Sequence, residues 1–521
     1  MLIKFLLVVA FFGVMLAIGF YCRKHSTDVS GFVLAGRSVG PWLTAFAYGT
    51  SYFSAVVFVG YAGQFGWRYG VAATWVGLGN AFIGSLMAWA VLGRRTRIMS
   101  QYLSSATMPD FFGKRFSSDA LKIAASIICF VFLIPYTASL YNGLSRLFGM
   151  AFNIDYSICV IFMAVLTGIY VIAGGYMATA INDFIQGIIM LIGIVAVIVA
   201  VLESKGGLNA SLAGIAKIAD PNASSELAKS PGIFASFFGP DPVNLLGVII
   251  LTSLGTWGLP QMVQKFYAIK NESDITKGTV ISTFFALVVA GGCYFLGGFG
   301  RLFTAQVDPA GLGFPAEGYD SVIPIMLSGL PDILLGVVVI LVLSASMSTL
   351  SSLVLASSST LTLDLLKGHV IKKMDEDKQL FIMRILIVIF IIISVVLALI
   401  QYSSNVTFIA QLMGVSWGAL AGAFLAPFMY SLYWKGVTKL SCWVNFLFSS
   451  FVMIANIFVR PSFPALLQSP INAGAFCMLA GFVIVPVVSL VTPKPDKQFL
   501  EDAFNCYTKT VTVRQSKALG D

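Results

Sequence analysis

Residues 341–364 read LVLSASMSTLSSLVLASSSTLTLD, and eleven of these residues carry a hydroxyl. Apart from its last residue, Asp364, the stretch lies inside a run, 333–363, without one charged residue. On a helix, residues i, i+3 and i+4 share a face. Ser348, Ser351 and Ser352 therefore form one stripe, with Ala345 and Thr349 at its upper edge. Hydroxyls together with backbone carbonyls can surround a hard monovalent cation without a full counter-charge, which suits an ion that must bind and leave again. A second reading is that serine and threonine bond back to their own helix or let helices approach closely. For 357–360 and Thr362 that second reading is preferred, whereas composition alone leaves both open for the central cluster.

One carboxylate bears on the choice. Asp183, in GGYMATAINDFIQGIIMLIG, is expected to open an apolar span. It is either an N-cap at the membrane interface or an intramembrane acid, which is usually functional. The other acids fall in loops or at span ends. The two histidines, His25 and His369, fall in loops, which argues against a histidine metal site or proton relay. The seven cysteines are dispersed with no CxxC. Neither a Ser/His/Asp set nor an HExxH motif is present, so an enzyme is not expected. A channel would want rings of charge or a repeated filter loop, and neither occurs. A proton-driven carrier would have Asp183 alone to work with.

The elements that must hold these groups are membrane helices. The chain of 521 residues is 58% hydrophobic and 11% charged, with a mean hydropathy of +0.90; a soluble protein has about 25% charged residues. With roughly 20 apolar residues per crossing, thirteen spans are expected. They are 2–21, 41–65, 72–93, 121–148, 157–175, 184–202, 243–263, 279–299, 321–330 running into 333–366, 380–400, 406–433, 441–459 and 473–491. The first lacks a cleavage site, and Arg23 and Lys24 follow it, so it reads as a retained helix.

Loops rich in Lys and Arg alternate with poor ones. The rich set includes Arg23, Arg37, Arg94, Arg95, Arg97, Lys114, Arg115, Lys265, Lys270, Lys277, Lys367, Lys372, Lys373, Lys435 and Lys439. By the positive-inside rule this side is cytoplasmic, the N-terminus is outside and the C-terminus inside a plasma (inner) membrane. The net charge of +9 follows from the same bias and does not argue for nucleic acid. The longest polar loop is about forty residues, too short for a conventional soluble domain. No obligatory protein partner is evident; the partners expected are the lipid bilayer and a small organic solute.

Without the first helix and the last two, ten spans divide into two sets of five. An odd number forces opposite topology on the sets, the arithmetic of inverted-repeat transporters. The expected organisation is an extra helix and loop (1–40), a first repeat (41–203), an extracellular loop (204–242), a second repeat (243–433), two further helices (434–491) and a cytoplasmic tail (492–521). The first helix of each repeat should be broken at mid-membrane, near Gly49-Thr50-Ser51 and near Gly255, Gly258 and Pro260.

The stretches FVLAGRSVGPWLTAFAYGTSYFSAVVFVGYAG, YVIAGGYMATAINDFIQGIIMLIG and SASMSTLSSLVLASSSTLTLDLL together resemble the sodium/solute symporter family, which includes sodium/proline, sodium/pantothenate, sodium/sialic acid and sodium/glucose carriers. The resemblance covers most of the chain. It implies an all-α polytopic fold of LeuT type, a 5+5 inverted repeat with one extra N-terminal and two extra C-terminal helices. It also implies Na+ as coupling ion, in one or two copies. By position, the sodium site takes the carbonyls of Thr50, Phe53 and Ala345 and the hydroxyls of Ser348 and Thr349. A second sodium site, as in the sialic acid branch, would take Asp183, Ser348, Ser351 and Ser352. The solute candidates are Ser54, Tyr136, Thr252, Thr256, Trp257 and Gln261, of which Tyr136 and Trp257 could equally be packing or interfacial residues. Tyr52 stands where the proline branch has an aspartate and the pantothenate branch a tyrosine. Val56, Thr252 and Thr256 replace aromatic residues of the proline pattern. The implied activity is sodium-driven import of a carboxylate or zwitterion such as pantothenate, an amino acid or a monocarboxylate, by alternating access. A proton-coupled carrier, or a sugar or sialic acid symporter of the same fold, is the alternative.

Overall fold

A computed structural model describes residues 2–23, 27–220, 226–304, 318–367, 369–371, 374–404, 409–494 and 496–508. Lys24, His25, Lys372, Lys373, the start of the span expected at 406, part of the 204–242 loop and part of the 492–521 tail lie outside them. Among the described residues, helices are the only extended regular elements. We label those used below α1 (Leu2–Cys22), α2 (Pro41–Tyr52), α3 (Val56–Tyr102), α4 (Asp119–Phe152), α5 (Tyr156–Glu203), α6 (Pro242–Gly258), α7 (Pro260–Tyr267), α8 (Ser273–Gly297), α9 (Asp332–Thr360), α10 (Glu376–Ser404), α11 (Ile409–Tyr433), α12 (Lys439–Phe458) and α13 (Pro470–Val491).

Ten described helical runs are long and apolar enough to cross a bilayer, and α6 with α7 forms a further span bent by 46°. Two of the ten, α3 with 47 residues and α5 with 48, are far longer than one crossing needs. Each contains a glycine in a conformation that L-residues avoid: Gly70 at φ 64° and Gly175 at φ 56°. A side chain at Gly175 would also meet the Phe32 carbonyl oxygen at 2.8 Å. Each glycine divides its run into two segments, the first of which in α3, Val56–Tyr69, is too short to cross alone and follows directly on α2.

Local chemistry sets several helix ends. Asp241 accepts from the Asn244 amide at 3.2 Å, and Pro242 follows as the first helical residue of α6. Thr438 caps α12 through the Ser441 amide at 3.3 Å. Burial separates centre from rim. In their most apolar stretches 89% of α11 and 78% of α9 is buried, against 33% of α1. α10 instead leaves Phe381, Ile392, Val396 and Ile400 exposed, as a lipid-facing helix must. The hydroxyl-rich α9 is therefore a central helix, packed against α5, α4 and α2.

The first helix of each expected repeat is interrupted. Between α2 and α3 the break falls at Phe53–Ser54, with Phe53 extended at φ −95° and ψ 124°. This corrects the expectation of a break at Gly49-Thr50-Ser51. Gly49 lies within α2, where a Cβ would come 2.4 Å from the Phe285 ring, so that glycine admits a neighbour. Between α6 and α7 the break is at Leu259, φ −80° and ψ 125°, held between Gly258 and Pro260 as expected. A residue before proline avoids the helical region, which explains the position.

Candidate functional site

The turn at Phe53 takes the amides of residues 54 and 55 out of the helix that the Thr50 and Ser51 carbonyls would otherwise bond to. These carbonyls face α9. There the Thr349 Oγ1 lies 3.3 Å from Thr50 O, 3.4 Å from Ser51 O, 3.5 Å from Phe53 O and 3.1 Å from Ala345 O. One hydroxyl proton can serve one acceptor at a time, so most of the converging lone pairs are left over. The neighbouring Ser348 hydroxyl is buried and has no hydrogen-bond partner. All of these residues are at most 2% exposed. A buried group of oxygen acceptors short of protons is a fitting place for a dehydrated monovalent cation. Thr50, Phe53, Ala345, Ser348 and Thr349 are brought together here, and Ser51 joins them. The Thr50 side chain itself turns away, its hydroxyl donating to Phe46 O at 2.8 Å.

A second cluster lies beside the first. Asp183 is fully buried within α5, past the break at Gly175, so it does not open a helix and is not an N-cap. Lys265, expected in a cytoplasmic loop, is instead 1% exposed within α7. Its ammonium donates to Ser352 Oγ at 2.9 Å and stands 3.8 Å from Asp183 Oδ2 and 5.1 Å from the centre of the Tyr176 ring. Ser352 Oγ also pairs with Ser51 Oγ at 2.9 Å. Ser351 turns back to its own helix, donating to Ser348 O at 2.9 Å. Further along, Ser358 and Ser359 bond back to Leu355 and Ala356 carbonyls at 3.2 Å each. Ser358 and Ser359 thus follow the packing reading, whereas the Ser357 and Thr362 hydroxyls are buried without a hydrogen-bond partner.

The solute candidates divide in two. Thr256 and Trp257 are committed to α3, which winds as a π-helix over Asn80–Met87. Thr256 Oγ1 donates to Gly84 O at 3.0 Å and Trp257 Nε1 to Ile83 O at 3.0 Å. The Thr252 hydroxyl bonds back to Val248 O at 2.9 Å, while its carbonyl accepts from the Tyr52 hydroxyl at 2.9 Å, tying the two broken helices together. By contrast the Ser54 hydroxyl, the Tyr136 hydroxyl and both amide atoms of Gln261 are buried without hydrogen-bond partners. Trp417, absent from the sequence reading, packs against one of them, Tyr136. Its ring stacks on Tyr52 at 6.1 Å, meets the Tyr136 ring edge at 5.8 Å and would collide at 2.6 Å with a Cβ on Gly255. Its indole N–H is buried and unpartnered too. The signal for Trp417 was weak, one tryptophan among eight, because only the fold brings α11 against the break in α6.

With this geometry in view, comparison with known proteins is direct. The family model described as Sodium:solute symporter family matches residues 32–442. The chain belongs to that family. Sodium/proline symporters of Staphylococcus aureus strains JH9 and NCTC 8325 are each 29% identical to it over 532 residues, covering 96% of this chain and 95% of theirs. A solved structure of a Na+-coupled sialic acid symporter, substrate-bound, outward-open and with a novel Na+ site, superposes with a TM-score of 0.72 at 15% identity, covering 94% of this chain and 98% of its own. That likeness shows the fold, which is the LeuT type. The chain is a Na+-coupled symporter, an integral membrane transporter rather than an enzyme. The candidate site residues of this symporter are all buried.

Proposed function

We propose that this symporter binds sodium where the Thr50, Ser51, Phe53 and Ala345 carbonyls meet the Ser348 and Thr349 hydroxyls, and carries a small zwitterion or carboxylate across a plasma (inner) membrane. The observation that carries the reading is the Thr349 hydroxyl inside a nest of four carbonyls, three of them exposed by the break after α2. Sodium there stitches the broken α2–α3 segment to α9 and so prepares the solute site on the other side of the break. Residues 41–203 and 243–433 act as two inverted repeats, with the N-terminus outside and the C-terminus inside. One sodium gains about 2.3 kcal/mol per 100 mV of membrane potential, and its concentration gradient adds to this.

The solute lies among Ser54, Tyr136, Gln261 and Trp417, whose unpaired polar atoms need partners that a polar solute can bring. The names of the staphylococcal relatives favour an amino acid, with proline the first to try. Tyr52 instead of an acid, and Val56 instead of an aromatic, favour testing pantothenate and monocarboxylates alongside it. The experiment is uptake of radiolabelled proline, other amino acids, pantothenate and lactate into proteoliposomes, with sodium or choline outside at fixed pH. Uptake of one of them only with sodium supports the reading. Equal uptake in choline that follows a pH gradient supports a proton-coupled carrier in its place.

A further inference from the structure

We propose that the Lys265 ammonium takes the place of a second sodium ion, so that the symporter binds a single sodium. The inference rests on the site reading given above and deepens it. A second cation beside Thr349 would draw on Asp183, Ser348, Ser351 and Ser352. Each of these except Ser348 is already engaged or neutralised. Ser352 accepts from Lys265 at 2.9 Å and is shared with Ser51 at 2.9 Å. Ser351 is folded back on Ser348 O at 2.9 Å. Asp183 faces the ammonium at 3.8 Å. Both charged side chains are at most 2% exposed, so water does not screen them.

A mobile sodium among these ligands would have a fixed positive charge within a few ångströms and in a medium of low dielectric, where like charges repel strongly. An ammonium presents its three donors to the same oxygen acceptors that a sodium would use. The tether matters. Lys265 sits on α7, directly after the break in the second repeat, and Ser352 sits on α9. The lysine therefore holds α7, α9 and α5 together permanently, where an exchangeable ion would do so only when bound. The isoelectric exchange of a bound ion for a fixed one also leaves one transported charge per cycle in place of two.

The test is equilibrium binding of radioactive sodium alone to the purified full-length protein. The wild type should bind about one sodium per chain without cooperativity. Lys265→Met, which keeps the length of the side chain and removes its charge, should bind about two. Lys265→Met with Asp183→Asn should return to one, and Lys265→Arg should remain at one. Two sodium ions on the wild type would overturn the lysine inference and leave the first site standing. A single sodium on a folded Lys265→Met, its fold checked by monodispersity and melting, would also overturn it. No sodium on the wild type would remove the site reading itself, and the inference with it.

Discussion

At the scale of residues, the site is defined by oxygen atoms short of protons. Thr349 is the test of the first cation position. Thr349→Ala leaves the four carbonyls in place and removes one hydroxyl oxygen. Hydrogen bonds and dipoles that face a charge are worth roughly 1.5–3 kcal/mol, so half-saturation by sodium should rise about 10- to 100-fold with the maximal rate less affected. Thr349→Ser should restore most of the affinity. A sodium titration of uptake measures both, and an unchanged titration in the alanine variant would remove Thr349 from the site. Tyr136 tests the solute side. Its hydroxyl is buried and makes no well-formed hydrogen bond, with Trp417 and Ser54 as its neighbours, so its removal should cost the folded protein little. Tyr136→Phe should therefore keep the melting temperature while raising the solute KM several-fold. A lowered melting temperature with unchanged KM would make Tyr136 a packing residue.

At the scale of elements, two kinds of glycine must be told apart, and the amino-acid sequence does not separate them. The break beside Gly258 was legible because Pro260 fixes its own φ and keeps Leu259, the residue before it, out of the helical region. Gly49 resembled a break and is a contact. The real interruption, Phe53–Ser54, has no glycine. It exists because the Thr349, Tyr52 and α9 contacts hold an extended turn that local propensity would not choose. Asp183 likewise could be placed at a helix start only because the sequence did not show that the second part of α5 begins directly after Gly175, eight residues earlier. Lys265 was counted with the loop charges, since a lysine near a span end looks the same whether it points to water or to a buried acid. The packing glycines make a direct prediction. A Cβ on Gly297 in α8 would lie 2.0 Å from the Ala62 carbonyl oxygen of α3, and one on Gly66 would lie 2.0 Å from the Gly297 carbonyl carbon. Backbone on both sides cannot yield as a side chain does. Gly297→Ala should cost about 2 kcal/mol or more and lower the yield of folded protein. Gly291→Ala, six residues earlier on the same helix and with nothing within 4 Å of its Cβ, should melt at or above the wild-type temperature. Equal melting of the two variants would mean that the α3–α8 contact is not tight.

At the scale of the whole molecule, a transporter needs a closed seam that can open, and the end of the molecule beyond Lys265 has one. Arg37, outside the spans, donates to Tyr267 O at 3.1 Å, Ser100 Oγ at 3.1 Å and Ser105 O at 2.6 Å. It thereby ties the segment before α2 to the end of α3 and the end of α7. Burial pushes its guanidinium down to about 10, so it keeps its charge at neutral pH. Beside it Arg97 donates to the Ile269 and Lys270 carbonyls at 3.0 and 2.5 Å, and Thr107 to Asp364 at 2.5 Å, with Lys122 at 3.5 Å from the same acid. Most of these partners are carbonyls at the ends of helices, which water can take over once the seam parts. If release occurs toward this side it must break them together, because Tyr267 lies two residues beyond Lys265 on α7. Arg37→Ala removes three of these bonds, and a fourth to Ser100 O at 3.4 Å, and so lowers the cost of opening on this side alone. The seven native cysteines are all buried, so a cysteine placed at Ser51 can report on the path. With Ser51→Cys as background, Arg37→Ala should speed labelling by a small maleimide several-fold in the absence of sodium. Added sodium should slow it again, because the ion holds the broken segment against α9. Labelling that is equally slow with and without Arg37 would mean that this seam does not gate the site.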